Sequence, residues 1–285
     1  MKRWMSNSLI VIFMLVFLVS AFFLGKYFWE SRQQKDQYDQ LAQIVEQAKQ
    51  EKPQKNPTNT DPIDPADPDA PPQETTEAEP ESELVLVIDP ATGASAYVLP
   101  EYAQLYLMNT DLVGWITIDG TTVNYPVMQT PDRVDYYLYR DFFRKDSKHG
   151  CIYVREQCDV YNSDNVVIYG HRMKDGSMFN NLLLYKERDY YEDRRYIQFN
   201  TLTERHTYEI VAVFTTVATE SGFGYHLFND AANQEEFDAF IAQCKALSLY
   251  DTGVDAQYGD KLITLSTCEY SRDNGRMVLV AKQIS

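Results

Sequence analysis

The apolar positions of the chain first form one uninterrupted run near the N-terminus. Residues 4–25 carry no charge, and nearly every residue from Leu9 to Leu24 is Leu, Ile, Val, Phe, Met or Ala. A helix of this length spans about 33 Å, enough to cross a bilayer core. Lys2 and Arg3 precede the run and predict a cytoplasmic N-terminus. A cleavable signal peptide is the alternative, but the run has no clear Ala-x-Ala site, so we predict an uncleaved anchor over residues 1–29.

The pattern then becomes polar, with apolar residues near helical spacing between residues 30 and 52. These residues are Tyr38, Leu41, Ile44, Val45 and Ala48. The spacing predicts a short stalk helix leaving the membrane, and the alternative is a helical dimerisation seam.

Residues 53–83 lack any hydrophobic pattern. They contain eight prolines and no aromatic residue, and nine carboxylates lie between residues 56 and 83 without a Lys or Arg. Such a composition buries too little apolar surface to offset the entropy lost on ordering, which predicts a disordered spacer. Extended, it could reach about 95 Å and lift the following domain off the membrane. Protein beginning near Leu84 is then expected to keep its activity on short peptides.

From residue 84 to residue 285 the pattern is that of one domain, mainly β with helical additions. A helix is predicted over residues 100–112 and two helical insertions over residues 177–184 and 233–249. Short β-rich runs separated by Gly, Asn and Asp favour a closed or nearly closed antiparallel barrel. These runs cover residues 114–118, 123–127, 150–154, 165–169, 196–199, 207–217, 261–267 and 277–282.

The formal net charge of −16 changes the picture little, because nine of the negative charges lie in the spacer. An acidic chain argues against nucleic-acid binding.

Candidate catalytic residues lie in the barrel region. Cys268 ends the sequence Thr-Leu-Ser-Thr-Cys, Arg276 follows it, and His171 stands upstream in Tyr-Gly-His. A thiol, an imidazole and a guanidinium can together attack an amide carbonyl covalently. Alone, Cys268 would more simply be a small core residue.

Three segments carry a resemblance to class B sortases, the membrane-anchored cysteine transpeptidases of Gram-positive bacteria. They are residues 109–127, residues 168–179 around His171, and the predicted helix before the Cys strand. Arg172 stands where Asn is common in that class. The resemblance implies a sortase-type closed β-barrel of about eight strands, with an N-terminal helix and a long helix inserted before the catalytic Cys strand.

The resemblance also implies the chemistry of the site. Cys268 would attack a Thr carbonyl in the C-terminal sorting signal of a secreted protein and form a thioester. His171 would protonate the leaving amine and then deprotonate an incoming amine of a peptidoglycan stem or cross-bridge peptide. Arg276 would stabilise the oxyanion or hold the substrate backbone, although an ion pair with Asp273 or Glu269 is its plain structural alternative. No cofactor is implied.

Further residues are expected around the triad, each with ordinary strand packing or solvent exposure as the alternative. By resemblance, Thr267 would orient the thiol or help bind the oxyanion. Residues expected to line the peptide groove are Ser266, Glu269, Tyr169 and Tyr225, with His226 beside them.

Histidines and cysteines outside the triad are expected to be structural. His149, His206 and His226 are expected at surface positions. No pair of residues has metal-ligand spacing, so no metal site is expected. A catalytic Cys268 leaves three cysteines, and we predict no disulfide; Cys151 and Cys158 are the one pair left open, and Cys244 is expected in the core.

Three functional alternatives remain open on the sequence. One is a cell-wall cysteine peptidase or hydrolase, although such enzymes usually place the Cys before the His. Another is a pilus-assembling sortase. The last is a non-catalytic wall-binding domain that keeps the barrel. In each case the predicted localisation is a single-pass cell-membrane protein with its folded domain outside the cell.

Overall fold

The computed structural model of the protein describes residues 2–50 and 83–285. The predicted disordered spacer therefore lies outside the described residues, apart from Glu83. The element order is α1 Lys2–Gln50, β1 Val85–Ile88, β2 Ser95–Val98, α2 Pro100–Met108, β3 Leu112–Thr117, β4 Asn124–Met128, β5 Ile152–Val154, β6 Asn165–Tyr169, α3 Arg188–Asp193, β7 Tyr196–Thr201, β8 Thr207–Val217, α4 Gln234–Leu247, β9 Leu262–Cys268 and β10 Gly275–Gln283. Helices of the 3₁₀ type cover Tyr136–Tyr139, Phe179–Lys186 and Tyr225–Leu227.

Eight strands form a closed barrel in the order β10-β8-β7-β3-β4-β5-β6-β9, as the sequence predicted. The expectation that all neighbours are antiparallel was wrong, because β4 pairs with β5, and β6 with β9, in parallel. Parallel neighbours need a crossover connection. Residues 129–151 supply it for β4 and β5, and residues 170–261, which include α3, β7, β8 and α4, supply it for β6 and β9.

The long helix predicted over residues 233–249 is α4, and it covers the outside of the barrel. Its N-cap Asn233 accepts a hydrogen bond from the Glu236 backbone N–H at 3.0 Å. Phe237, Phe240 and Cys244 of α4 are buried in one cluster with the outward-facing residues of β8 and β10. These two strands are therefore buried on both faces, which explains their nearly continuous hydrophobic sequence.

The apolar stripe of α1 is covered by the protein itself. Tyr38, Leu41 and Val45 are at most 4% exposed and belong to the main core. The Tyr38 hydroxyl donates to the Gly150 carbonyl at 2.6 Å, and its ring meets that of Tyr125 edge-on at 5.3 Å. The second half of α1 is thus packed on the domain. By contrast, the apolar side chains between Ile12 and Leu24 are exposed, and α1 contains a stretch near its N-terminus that is long and apolar enough to cross a membrane.

This packing changes the expectation for protein that begins near Leu84, since such protein loses three core side chains. In the full-length chain in detergent, Leu41→Ala should lower the free energy of unfolding by about 2–5 kcal/mol, the usual cost of a buried Leu→Ala change. Chemical denaturation would measure it. Gln43→Ala, at an exposed position of the same helix, is the matched control and should change stability by less than about 0.5 kcal/mol. Equal effects of the two changes would contradict the packing.

Candidate active site

Cys268 and Arg276 are direct cross-strand partners. Cys268 is the last residue of β9, and Arg276 is the second residue of β10 and lies opposite it in the antiparallel register. Opposite residues on neighbouring strands place their side chains on the same face of the sheet. The tight turn between them depends on Gly275, where a Cβ would lie 2.3 Å from the Glu269 carbonyl oxygen. The eight-residue spacing in the sequence is therefore the span of one hairpin.

His171 reaches the same place through the parallel pairing of β6 with β9. Tyr169, the last residue of β6, is the register partner of Ser266. Both strands run in the same direction, so His171 and Cys268, each two residues further on, leave the barrel at the same end. Gly170 permits this approach, because a Cβ there would lie 2.5 Å from the Ile152 side chain and 2.6 Å from that of Phe179.

One cleft of about 520 Å³ is lined by His171, Cys268 and Arg276 together. Of the five residues predicted to bind substrate, four also line it, namely Tyr169, Tyr225, Ser266 and Thr267. The structure thus brings together seven of the eight predicted site residues.

Glu269 is the residue that the structure does not bring into the cleft. Its carboxylate accepts from the Lys186 ammonium at 2.8 Å and from the backbone N–H of Ser271 at 3.0 Å, and it is 4% exposed. Burial by itself raises the pKa of Glu269, but the bonds from Lys186 and Ser271 outweigh burial and lower the pKa to about 2. These contacts fix the start of the turn after Cys268, so Glu269 has a structural position.

The His171 ring is held by backbone that the sequence did not point to. Its Nε2 lies 2.7 Å from the Leu138 carbonyl oxygen. A carbonyl only accepts, so Nε2 carries the proton and Nδ1 is the bare nitrogen of the neutral ring. The Tyr139 ring packs against the imidazole at 5.6 Å between centroids. Burial lowers the pKa of His171, which favours the neutral imidazole at pH 7.

Cys268 is the most accessible of the four thiols. All four cysteines are free; Cys151, Cys158 and Cys244 are buried, and Cys268 is half-buried at the cleft. Burial raises the pKa of each of the three buried thiols, which makes them poor nucleophiles. The expectation that Cys244 is a core residue is confirmed.

The Arg276 guanidinium is free to meet a substrate. Its Nη1 donates to the adjacent Gly275 carbonyl at 3.0 Å. Within the described part of the chain it forms no ion pair, and Glu269, one of the two expected partners, is held by Lys186. The ion-pair alternative for Arg276 is therefore not the arrangement found.

Two hydroxyls shape the floor of the cleft. The Tyr225 and Ser266 hydroxyls lie 2.6 Å apart and are buried, which ties the 3₁₀ turn over Tyr225–Leu227 to β9.

Thr267 differs from these two residues. It is 2% exposed, and its Oγ1 has no hydrogen-bond partner among the described residues. A buried hydroxyl without a partner is unusual, and here it lies next to Cys268 in the chain.

Sequence reasoning missed Leu138 and Tyr139, and it misplaced one histidine. Nothing in the pattern of residues 136–139 indicates contact with His171, since that contact arises only when the 3₁₀ helix packs against β5. His149 was expected at the surface but is 5% exposed, because its ring lies under α1 and bonds the Asp175 carboxylate at 3.0 Å. His206 and His226 are half-buried, and His226 lines the cleft.

Comparison with known proteins gives a consistent assignment. The sortase domain family matches residues 116–284. Sortase B of Staphylococcus aureus (strain NCTC 8325 / PS 47) is 31% identical over 191 residues, which cover 66% of this chain and 76% of that protein. Sortase B of Listeria monocytogenes serovar 1/2a (strain ATCC BAA-679 / EGD-e) is 31% identical over 197 residues, covering 68% of this chain and 78% of that one.

Solved structures agree with the sequence matches. The structure of a Staphylococcus aureus sortase B–substrate complex has a TM-score of 0.68 and 25% identity, and covers 90% of this chain and 99% of that chain. The fold, a closed β-barrel with an N-terminal helix and helical additions, is thus shared. Because the family match spans more than half of the chain and both relatives are sortase B enzymes, the chain belongs to the sortase family, in class B, and is a cysteine transpeptidase.

Proposed function

We propose that this sortase cleaves a C-terminal sorting signal of secreted proteins at a Thr carbonyl and transfers the acyl group to an amine of a cell-wall peptide. The observation that carries the proposal is the convergence of Cys268, His171 and Arg276 on one cleft. We further propose that the apolar part of α1 anchors the enzyme in the cell membrane, with the N-terminus in the cytoplasm and the catalytic domain outside.

In the first step the Cys268 thiolate attacks the Thr carbonyl carbon. The carbonyl oxygen becomes an oxyanion, whose stabilisation we assign to the Arg276 guanidinium, with Thr267 as a second candidate donor. Collapse of this tetrahedral species forms the thioester and breaks the C–N bond. The leaving amine takes a proton from His171, whose Nδ1 is the nitrogen not engaged with Leu138.

In the second step an incoming amine attacks the thioester carbonyl. His171, now neutral, accepts a proton from that amine, and the tetrahedral species expels the Cys268 thiolate. A new amide replaces the one that was cleaved, so the acyl bond energy is conserved and no nucleotide is needed. Leu138 acts by fixing which ring nitrogen faces the substrate.

Product analysis tests the reaction. The full-length enzyme in detergent is incubated with a peptide library that contains a fixed Thr, with and without triglycine as a probe amine. We expect a thioester adduct on Cys268 by mass spectrometry and a peptide–triglycine amide only when the amine is present. Hydrolysis that is indifferent to added amine would instead indicate a cell-wall cysteine peptidase. Reaction only with a lysine side chain of a protein would indicate pilus assembly.

The pH profile should show that Cys268 and His171 act as a pair. The burial that lowers the pKa of His171 disfavours imidazolium, so the thiolate–imidazolium form is a minority near pH 7. We expect a bell-shaped dependence of kcat/KM on pH, with limbs that belong to the pair. The midpoint of Cys268 alkylation by iodoacetamide should shift in His171→Ala, and an unchanged midpoint would show that the two groups are not coupled.

The lowered pKa of His171 also predicts that the protein loses stability in acid. Since the folded state binds the His171 proton less readily than the unfolded chain, the stability due to this group decreases as the pH falls below about 6.5. His171→Ala should remove that part of the acid sensitivity, which denaturation at pH 5 and pH 8 would measure.

A further inference from the structure

The contacts between α1 and the rest of the domain begin close to the residue at which the apolar stretch of α1 ends. The uncharged run ends at Gly25. At a helical rise of ~1.5 Å per residue, Ser31 is about 9 Å and Tyr38 about 20 Å beyond it. Ser31 donates to the Asp175 carboxylate, and the Ser147 hydroxyl donates to Gln34 at 2.7 Å. The domain is therefore held on α1 from the second turn outward.

Two loops of the domain occupy this position. One contains residues 140–149, and the other, residues 172–177, follows His171 directly. Tyr27 and Glu30 of α1 line a cavity with Lys145 and Lys148, and Gly25 itself lines another with Asp175. These loops are thus the part of the domain nearest the end of the apolar stretch.

This end of the domain is basic, although the chain as a whole carries a net charge of −16. Five exposed cations stand here without an ion pair among the described residues, and we call them the basic surface: Arg32, Lys35, Lys145, Lys148 and Lys174. Two aromatic side chains accompany them, Trp29 at 73% and Phe143 at 42% exposure. Exposed cations together with aromatic rings are typical of surfaces in contact with phospholipid headgroups.

We propose that the basic surface lies on anionic phospholipid headgroups and holds the catalytic cleft close to the membrane. The proposal rests on the membrane anchor proposed above. Tyr139 connects the two features, since it lines both the cavity beside α1 and the catalytic cleft and packs on His171. The His171 end of the barrel therefore faces the bilayer, and substrates reach Cys268 near the headgroups.

The acidic segment 53–83 then has no part in setting the height of the domain. Before it, α1 is packed on the core through Leu41 and Val45. At its end, the Glu83 carboxylate accepts from Arg205 of the same domain, whose Nη1 lies 2.9 and 2.8 Å from the two carboxylate oxygens. The described residues on both sides of the segment are therefore attached to the same folded domain.

Contact quenching in nanodiscs tests the proposal. Full-length Cys268→Ala protein carries a fluorophore at Phe143→Cys, in discs with nitroxide-labelled headgroups. We expect quenching in anionic phosphatidylglycerol discs to be at least about twofold stronger than in phosphatidylcholine discs, and to fall at about 1 M salt, where the screening length is ~3 Å. The same fluorophore at Tyr258→Cys, at an exposed position beside α4, should stay unquenched.

Charge reversal supplies the matched pair of variants. Lys145→Glu with Lys148→Glu should reduce quenching at residue 143 to the phosphatidylcholine level. Arg188→Glu with Lys245→Glu makes the same charge change at exposed or half-exposed positions outside the basic surface and should leave quenching unchanged. Thermal unfolding midpoints show that each variant is folded.

Deletion of residues 56–80 separates the remaining possibilities. Unchanged quenching supports the proposal. Quenching that appears only after the deletion would mean that the acidic segment, and not lipid, occupies the basic surface, and would overturn it. Absence of quenching in protein that co-purifies with the discs would overturn the proposed contact between the basic surface and lipid, while leaving the proposed anchor intact. Failure to co-purify would instead remove the anchor.

Discussion

Replacing Cys268 with alanine should abolish both the acyl-enzyme and the transfer product, with a loss in kcat/KM of at least about 10⁴-fold. The change removes the atom that forms the thioester, and no other group of the cleft can take its place, because the other three thiols are buried. The intact protein mass after incubation with peptide measures the adduct directly. The half-buried position of Cys268 leaves room for alanine, so the unfolding midpoint should change little.

Two results would remove Cys268 from this role. One is turnover retained in Cys268→Ala protein. The other is a peptide adduct mapped to Cys151, Cys158 or Cys244, which would require the domain to open. Cys268→Ser is a useful companion, since it keeps the shape of the side chain but supplies a hydroxyl that His171, which has no acidic partner among the described residues, activates poorly.

Arg276→Ala should lower kcat/KM by about 10²–10³-fold, the usual cost of losing one oxyanion donor. Arg276→Lys should be nearly as damaging, because one ammonium cannot reproduce a planar fork of donors. The Arg276 side chain bonds only the neighbouring Gly275 carbonyl among the described groups, so its loss leaves no buried carboxylate unpaired. Steady-state kinetics with a fixed peptide and amine measure the effect separately on kcat and KM.

Arg272→Lys is the matched control for this prediction. Arg272 lies in the same β9–β10 turn and donates to the Thr215 hydroxyl, outside the cleft. Its replacement should leave both kinetic constants within about twofold of wild type. If Lys at position 276 restores most of the activity, Arg276 contributes charge alone and the proposed two-donor contact is wrong.

The candidate site could be predicted from the sequence because its chemistry resides in short local motifs. A thiol at the end of a hydrophobic strand, with a guanidinium eight residues later, specifies one hairpin with both groups at its open end. Most strands were found within two residues, because alternation and turn residues act locally. The cap at Asn233 and the apolar face of α4 likewise identify the long helix without any tertiary information.

Other features depended on contacts between distant parts of the chain. The parallel pairing of β6 with β9 brings His171 to Cys268, and no local pattern distinguishes it from an antiparallel neighbour. Glu269, which was expected to line the groove, does not line the cleft, for a related reason. Past the end of a strand, the ladder no longer dictates which way a side chain points, and Lys186, 83 residues away in sequence, decides it.

The N-terminal segment shows most clearly which features follow from the sequence alone and which from tertiary packing. By itself the sequence determined that residues 4–25 are apolar enough to cross a membrane and that a helix with one apolar stripe follows, since both depend only on the order of side chains. What covers that stripe was decided by the tertiary structure. Burial of Tyr38, Leu41 and Val45 requires a complementary surface, and only the folded barrel with α2 supplies it.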